Sequence, residues 1–415
     1  MIKRYLSIIT VAYWIVAGLY AVRVPEWQTP DEPAHYHYIA QIAQTGQIPV
    51  IEAGDWDQAY LDALKGSRFD ASLMDDFETI QYEDHQPPLY YALAAPIYSL
   101  TDGSLTALRL FSVLIGTLII WSALGVGLLM FPKRPWIGLG AAAFVAFQPM
   151  HVHILASVNN DALGWAMVGV LLVGTIAYVK KTPLFGREVK AWHLGVLMGL
   201  AFITKATTYF MAGVIPLAIL LHWWADDTRK PSDLIKRWGA FLLPALVFGL
   251  AWWVRNFDVY GFPDFMGLAA HDAVVVGQPR TADLIDRLGF GGYVREISSV
   301  TFNSFWGRWG WMALPMERRW ELLIFGGLII AFVGVIIDTI RRTDKPTPPQ
   351  RNAWIILGAV TLLSVLAYLY YNSEFQQHQG RYMFTLLIPL GVWLALGVDA
   401  WRRLIPRLSP LVVPG

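Results

Sequence analysis

The chain has 415 residues, 55% of them hydrophobic, with 19 tryptophans and a formal net charge of +1. Apolar runs of about 17 to 25 residues recur along it, the length a helix needs to cross a bilayer, so it reads as an all-α polytopic membrane protein. The near-zero charge excludes a basic nucleic-acid-binding face, and the absence of cysteine excludes disulfides, thiolate chemistry and Cys-ligated zinc.

The first apolar window, near residues 5–22, has a short basic start but no small-residue cleavage site, so it reads as a retained span. A long acidic segment, 23–104, follows. Nine more windows lie near 105–130, 136–153, 162–179, 192–203, 207–224, 238–254, 320–338, 353–371 and 383–400, predicting about ten transmembrane helices, of which 192–203 is the shortest. If all ten span, Lys3 and Arg4, Lys133 and Arg134, Lys180 and Lys181, Arg229 and Lys230, Arg341 and Arg342, and Arg402 and Arg403 fall on one side. The positive-inside rule makes that side cytoplasmic. The long segments 23–104 and 255–319 are then extracytoplasmic, and long loops are where function concentrates. Arg341–Asn352 reads as a linker, and the chain divides into a core at 1–260, a second outer loop at 261–319 and C-terminal helices at 320–415.

Within the first outer segment, QTPDEPAHYHYIAQIAQTG predicts a short juxtamembrane helix over Ala34–Gln44. Pro33 suits its first turn, Asp31 or Glu32 can cap it, and Gly46 can end it. Ala34, Tyr38, Ile39 and Ile42 form its apolar stripe, which predicts a helix lying on the outer membrane surface. A cap needs one carboxylate. The second acid, with His35 about one turn beyond Asp31, supplies the makings of a base and an orienting partner. His35 and His37 point to opposite sides of the helix, which disfavours a shared metal.

Other candidates lie at the same predicted level. Asp84, His85 and Gln86 precede a Pro-Pro pair that should start the next helix. Asn160 and Asp161 occupy a short outer turn, where Asp161 reads either as a helix cap or as a second acidic site residue. Lys205, Arg255 and Arg381 sit at predicted outer ends of spans, where cations either snorkel to headgroups or grip a phosphate. The aromatic end of the second outer segment, Phe305, Trp306, Trp309 and Trp311, reads as an interfacial belt, with a flap over a site as the alternative. Asp55 and Asp57 form a DWD that would suit a nucleotide sugar, a ligand confined to the other side. No P-loop or dinucleotide fingerprint occurs.

PDEPAH, HQPPLYY, VNNDALGWA, WWVRNFDVYG and QGRYMF, in that order, resemble the GT-C membrane glycosyltransferases. The likeness is to the branch of protein O-mannosyltransferases and aminoarabinose lipid A transferases, and it covers residues 1–260 in layout. It implies a GT-C fold with juxtamembrane helices in the first outer loop, a polyprenyl-phosphate-linked sugar donor and inverting transfer to an extracytoplasmic glycan, lipid or protein hydroxyl at the cell membrane. It assigns Asp31 as the base and Glu32 and Asp161 as further acids of the catalytic site. His35, Asp84, His85, Gln86, Asn160, Lys205, Arg255 and Arg381 become substrate-binding candidates. Aminoarabinose-branch relatives carry a lysine where Gln86 stands, so phosphate binding must lean on other residues here. No cofactor is assigned; a divalent cation stays open, since the acids that would hold one could also act without it. The rival readings are a lipid-linked sugar flippase, which favours ionisable groups at the bilayer midplane, and a scaffold that kept the fold without catalysis.

Overall fold

The computed structural model describes residues 1–227, 229–342 and 345–405, so residues 343 and 344 of the expected linker lie outside the described residues. Among these, sixteen α-helices occur. Helix α1 (Ile2–Arg23) enters the bundle, and α2 (Glu32–Thr45), α3 (Gln58–Ser67) and α4 (Leu89–Leu100) build the first outer segment. Then come α5 (Leu105–Met130), α6 (Pro135–Phe147), α7 (Pro149–Leu155), α8 (Asp161–Lys180), α9 (Ala191–Phe202), α10 (Met211–Trp224) and α11 (Pro231–Tyr260). Helices α12 (Leu268–Val274) and α13 (Thr281–Trp306), with a ribbon of β1 (Arg308–Trp309) and β2 (Leu314–Pro315), form the second outer segment. Helices α14 (Arg318–Arg341), α15 (Pro348–Glu374) and α16 (Leu387–Leu404) complete the bundle.

Among the described residues, eight helices are long and apolar enough to cross a membrane: α1, α5, α8, α10 with its lead-in turn, α11, α14, α15 and α16 with its lead-in turn. The protein is a multi-pass membrane protein. The other two of the ten expected spans depart from a plain helix. The window at 136–153 is broken into α6 and α7, which meet at 62°. Pro149 has no N–H to continue the helix and forces the preceding residue out of helical geometry, so Gln148 is extended. The Gln148 side chain then accepts from the His151 N–H and restarts the chain as α7. Helix α9 has only 12 residues, about 18 Å of rise against about 30 Å of hydrocarbon.

Small residues bring the spans together. A Cβ on Gly127 of α5 would stand 2.2 Å from the Gly138 Cα of α6, and one on Gly397 of α16 would stand 2.0 Å from the Ala331 carbonyl of α14. Such close backbone approach is how helices gain packing energy where lipid offers no hydrophobic drive. At the basic end, Arg134 ion-pairs with Asp338 (3.1 Å) and with Asp399, and Arg402 pairs with Asp399 at 2.8 Å, tying the α5–α6 turn to α14 and α16.

At the opposite end the two outer segments close onto each other. The Trp311 indole donates to the Trp27 carbonyl (2.8 Å), and the Trp56 indole donates to the Val276 carbonyl (2.9 Å). Phe305 and Trp306 are buried rather than displayed as a belt, packed on Phe384 and Phe144 respectively. The reason is that α13 ends beside Gly380, where a Cβ would stand 2.4 Å from the Phe305 nitrogen, and this draws the aromatic end into the core. Helix α2 likewise departs from a surface helix, since its Ala34, His35, Tyr38 and Ile39 are all buried and it packs against α4.

Candidate active site

Asp31 occupies the N-cap position of α2 but does not cap it. Its backbone is left-handed (φ 67°), and its side chain makes no bond to the helix N-terminus. One carboxylate oxygen instead accepts from the Tyr82 hydroxyl (2.9 Å), and the other accepts from the Arg381 guanidinium. Burial alone would raise this carboxyl, but the Arg381 charge and both hydrogen bonds outweigh it and hold the group at about 2. Asp31 is therefore a carboxylate reserved for a cation.

Glu32 faces the other way. Its side chain is fully buried between the outer segment and α5, where Arg109 grips it through Nε (2.8 Å) and a terminal nitrogen (2.6 Å). The Trp27 and Val158 N–H groups donate to the same two oxygens at 3.2 and 3.1 Å. Arg109 also donates to the carbonyls of Ala21, Val24 and Pro25. Both Glu32 oxygens are thus committed to donors that tie α1, α2 and α5 together.

The next cluster forms where α8 begins. Lys205 donates to the Asn160 side-chain oxygen (2.6 Å) and to the Asp161 carboxylate (2.8 Å), while the Asn160 amide donates to Gln86 (3.3 Å). Short α9 is what brings Lys205 to this level. Asp161 is the first helical residue and not the cap, and its own N–H is taken by the Asn159 side chain at 2.8 Å.

His35 does not orient Asp31. Its Nδ1 lies 2.8 Å from the Tyr91 hydroxyl. Burial, and then the nearby charge of Lys205, lower its pKa to about 3, leaving a neutral ring. Asp84 turns to Gln41, which donates to it at 2.7 Å, and its pKa is raised to about 8 by burial. The His85 ring lies 4.4 Å from that of His271, between the two outer segments. Arg255 is the clearest departure among the cations. It donates to the Pro49 carbonyl (2.7 Å) and the Ile48 carbonyl (3.2 Å), and its guanidinium lies over the Trp252 and Tyr260 rings. It staples the outer segment to α11 instead of joining Lys205 and Arg381.

Arg381 is 3% exposed at its side chain and is oriented by Gln379, which accepts from its Nε at 2.8 Å. Beside it stands Glu83, which the sequence did not single out. One Glu83 oxygen is buried without a partner, and the carboxyl is pushed up to about 8 by burial and then by the negative charge of Asp31, with Lys205 and Arg381 opposing. Tyr82 and Arg109 were likewise missed; only the arginine, a charge near the outer end of an apolar window, carried a readable signal. Asp31, Glu83, Asp161, Lys205 and Arg381 thus share one end of the bundle, with two cations matched to two carboxylates and a carboxylic acid between them. Among the described residues no group of three or more His, Asp or Glu side chains is arranged to hold a metal ion.

Residues 71–390 match the family described as "Predicted membrane protein (DUF2142)". The chain belongs to that family. The match leaves Asp31 and Glu32 outside its bounds and includes Glu83, Asp161, Lys205 and Arg381. This DUF2142 protein also has the GT-C fold: it is similar to the crystal structure of ArnT from Cupriavidus metallidurans bound to undecaprenyl phosphate, with a TM-score of 0.52 at 15% identity. That likeness covers 97% of this chain and 61% of the ArnT chain. Apolipoprotein N-acyltransferase from Rhizobium meliloti (strain 1021) is 30% identical over 159 residues, and that from Sinorhizobium medicae (strain WSM419) is 29% identical over 159 residues. Each match covers 35% of this chain and 27% of the acyltransferase, so the chain spans about a quarter of the length of these curated relatives.

Proposed function

We propose that the protein is an inverting glycosyltransferase that moves a sugar from a polyprenyl phosphate to an acceptor hydroxyl on the extracytoplasmic side of the cell membrane. The acceptor class is a glycan, a lipid or a protein. The observation that carries this reading is the Asp31–Arg381 pair beside the Lys205–Asp161 pair, on a fold similar to that of a protein crystallised with undecaprenyl phosphate.

The acceptor oxygen attacks the anomeric carbon as the bond from that carbon to the phosphate oxygen breaks, and the acceptor proton passes to Asp31. The phosphate leaves carrying the bonding electrons, and Arg381 and Lys205 stabilise that charge. Lys205 also answers the loss of the lysine that aminoarabinose-branch relatives carry at the Gln86 position, because its ammonium reaches Gln86 through Asn160. The pairing of Arg381 with Asp31 links binding to chemistry. A phosphate beside Arg381 competes for the guanidinium, and a carboxylate losing its counterion becomes a stronger base.

Asp31→Asn tests this in one substitution. Asparagine tolerates the left-handed backbone found at this position and keeps the side-chain shape, so the variant should fold. Transfer from a polyprenyl-phosphate sugar should fall by about 10²–10⁴-fold. Binding of undecaprenyl phosphate should be unchanged or tighter, since Arg381 loses its competing anion. A variant that transfers sugar at close to the wild-type rate would move the base elsewhere.

A further inference from the structure

A cavity lies at the end of the bundle opposite Asp31 and Arg381. It holds about 360 Å³, the share of roughly a dozen water molecules. Helices α8, α9, α10 and α11 and the turn between α8 and α9 enclose it, and its wall includes Tyr178, Lys181, Lys190, His222, Lys236 and Arg237. Four of these are cations, against a single lining carboxylate, Glu188.

Among the described residues Lys181, Lys190 and Lys236 make no ion pair, and Arg237 reaches the Tyr178 hydroxyl of the cavity wall, with Asp226 4.0 Å away. The cluster at the same end shows the contrast, since there Arg134, Arg342, Arg402 and Arg403 all ion-pair with Asp338 or Asp399. Trp192 lines the cavity and is about half exposed; elsewhere at this end Phe185, in the turn between α8 and α9, and Trp224, at the end of α10, are exposed. Tryptophan is the residue that settles where acyl chains meet headgroups, so the cavity opens at that depth.

We propose that this cavity is a binding site for the headgroup of an anionic phospholipid of the cytoplasmic leaflet, with the phosphate held by Lys181, Lys236 and Arg237 and the acyl chains leaving past Trp192. Basic pockets between transmembrane helices recognise headgroups in this manner. A soluble phosphate would use the same cations and have no need of an exposed tryptophan in the wall. An occupied site would brace α8 and α9 at the end opposite the Asp161–Lys205 pair. The proposal does not rest on the glycosyltransferase reading.

Native mass spectrometry of the full-length protein, released from vesicles containing equal phosphatidylglycerol and phosphatidylcholine, tests it. Phosphatidylglycerol should be retained preferentially, and Lys181→Gln/Lys236→Gln/Arg237→Gln should lower that preference by at least about tenfold. Lys3→Gln/Arg4→Gln/Lys133→Gln removes equal charge at the same end outside the cavity and should leave the preference intact. Lys181→Gln alone, at an exposed turn, should reduce it by several-fold even if the triple variant fails to fold. Equal retention of both lipids, or equal loss in the control variant, would overturn the site. Displacement of the lipid by millimolar inorganic phosphate, but not by chloride of equal ionic strength, would make it a soluble-anion site and overturn the lipid assignment.

Discussion

At the scale of single residues, Asp31 and Glu32 show how far adjacent carboxylates can diverge. One is exposed enough to pair with Arg381 and Tyr82, and the other is sealed around Arg109. The pair was legible as chemistry, but its division of labour was not, because it follows from a left-handed backbone at Asp31 that sends neighbouring side chains to different layers. Glu83 was invisible in sequence for a related reason: its raised pKa comes from burial and from Asp31, which lies far away in the chain. That shift has a consequence for stability. Glu83 ordinarily titrates at 4.5 and is held at about 8 in the folded protein. Its proton therefore stabilises the fold fully below pH 4.5, and the benefit is lost as pH rises through 8. Asp84, also raised to about 8, acts with the same sign. The unfolding midpoint in detergent should thus fall between about pH 5 and 8.5. Glu83→Gln should flatten that fall, and Glu83→Gln/Asp84→Asn should flatten it further. Parallel pH profiles for wild type and both variants would show that neither carboxyl is held protonated.

At the scale of elements, long apolar windows were readable because length and hydropathy alone decide whether a helix can span. The span expected at 105–130 is the helix Leu105–Met130. What hydropathy could not report is how a span is interrupted. The α6–α7 bend depends on one proline and its glutamine neighbour, whereas the brevity of α9 was already readable in the short window at 192–203. The Glu32–Arg109 pair is the joint between elements, fastening the first turn of α2 to the outer end of α5 and the end of α1. Removing one member leaves the other charged and buried, at a cost of about 3–5 kcal/mol. Glu32→Ala should accordingly lower the thermal unfolding midpoint and the yield of folded protein, and Arg109→Ala should do the same. If Glu32 were instead a catalytic acid, the alanine variant would unfold like wild type and lose only turnover, so the two measurements together separate anchor from catalyst.

At the scale of the whole molecule, contacts sort the chain ends of the helices into two groups. Asp31 with Arg381, Asp161 with Lys205, and Pro49 with Arg255 mark one end. Arg134 with Asp399 and Lys180 with Gln350 mark the other. This sorting requires α9 to cross despite its length; if it did not, Lys205 would lie with Lys180 and could not meet Asp161. The excess of lysine and arginine at the second end then predicts that it faces the cytoplasm. Three exposed positions test orientation and parity together, because the chain has no cysteine of its own. Ala63→Cys in the first outer segment and Phe290→Cys in the second should both react with a membrane-impermeant maleimide in intact cells, whereas Arg187→Cys, in the turn before α9, should react only after permeabilisation. Reaction at Arg187→Cys alone would invert the protein and place the Asp31 site on the cytoplasmic side. Grouping of Phe290→Cys with Arg187→Cys would mean that the number of crossings between them is even, and the Lys205–Asp161 pair could not form across the membrane. Only the pattern in which Ala63 and Phe290 share a side keeps Asp31, Asp161, Lys205 and Arg381 at one end of the bundle, as the proposed transfer requires.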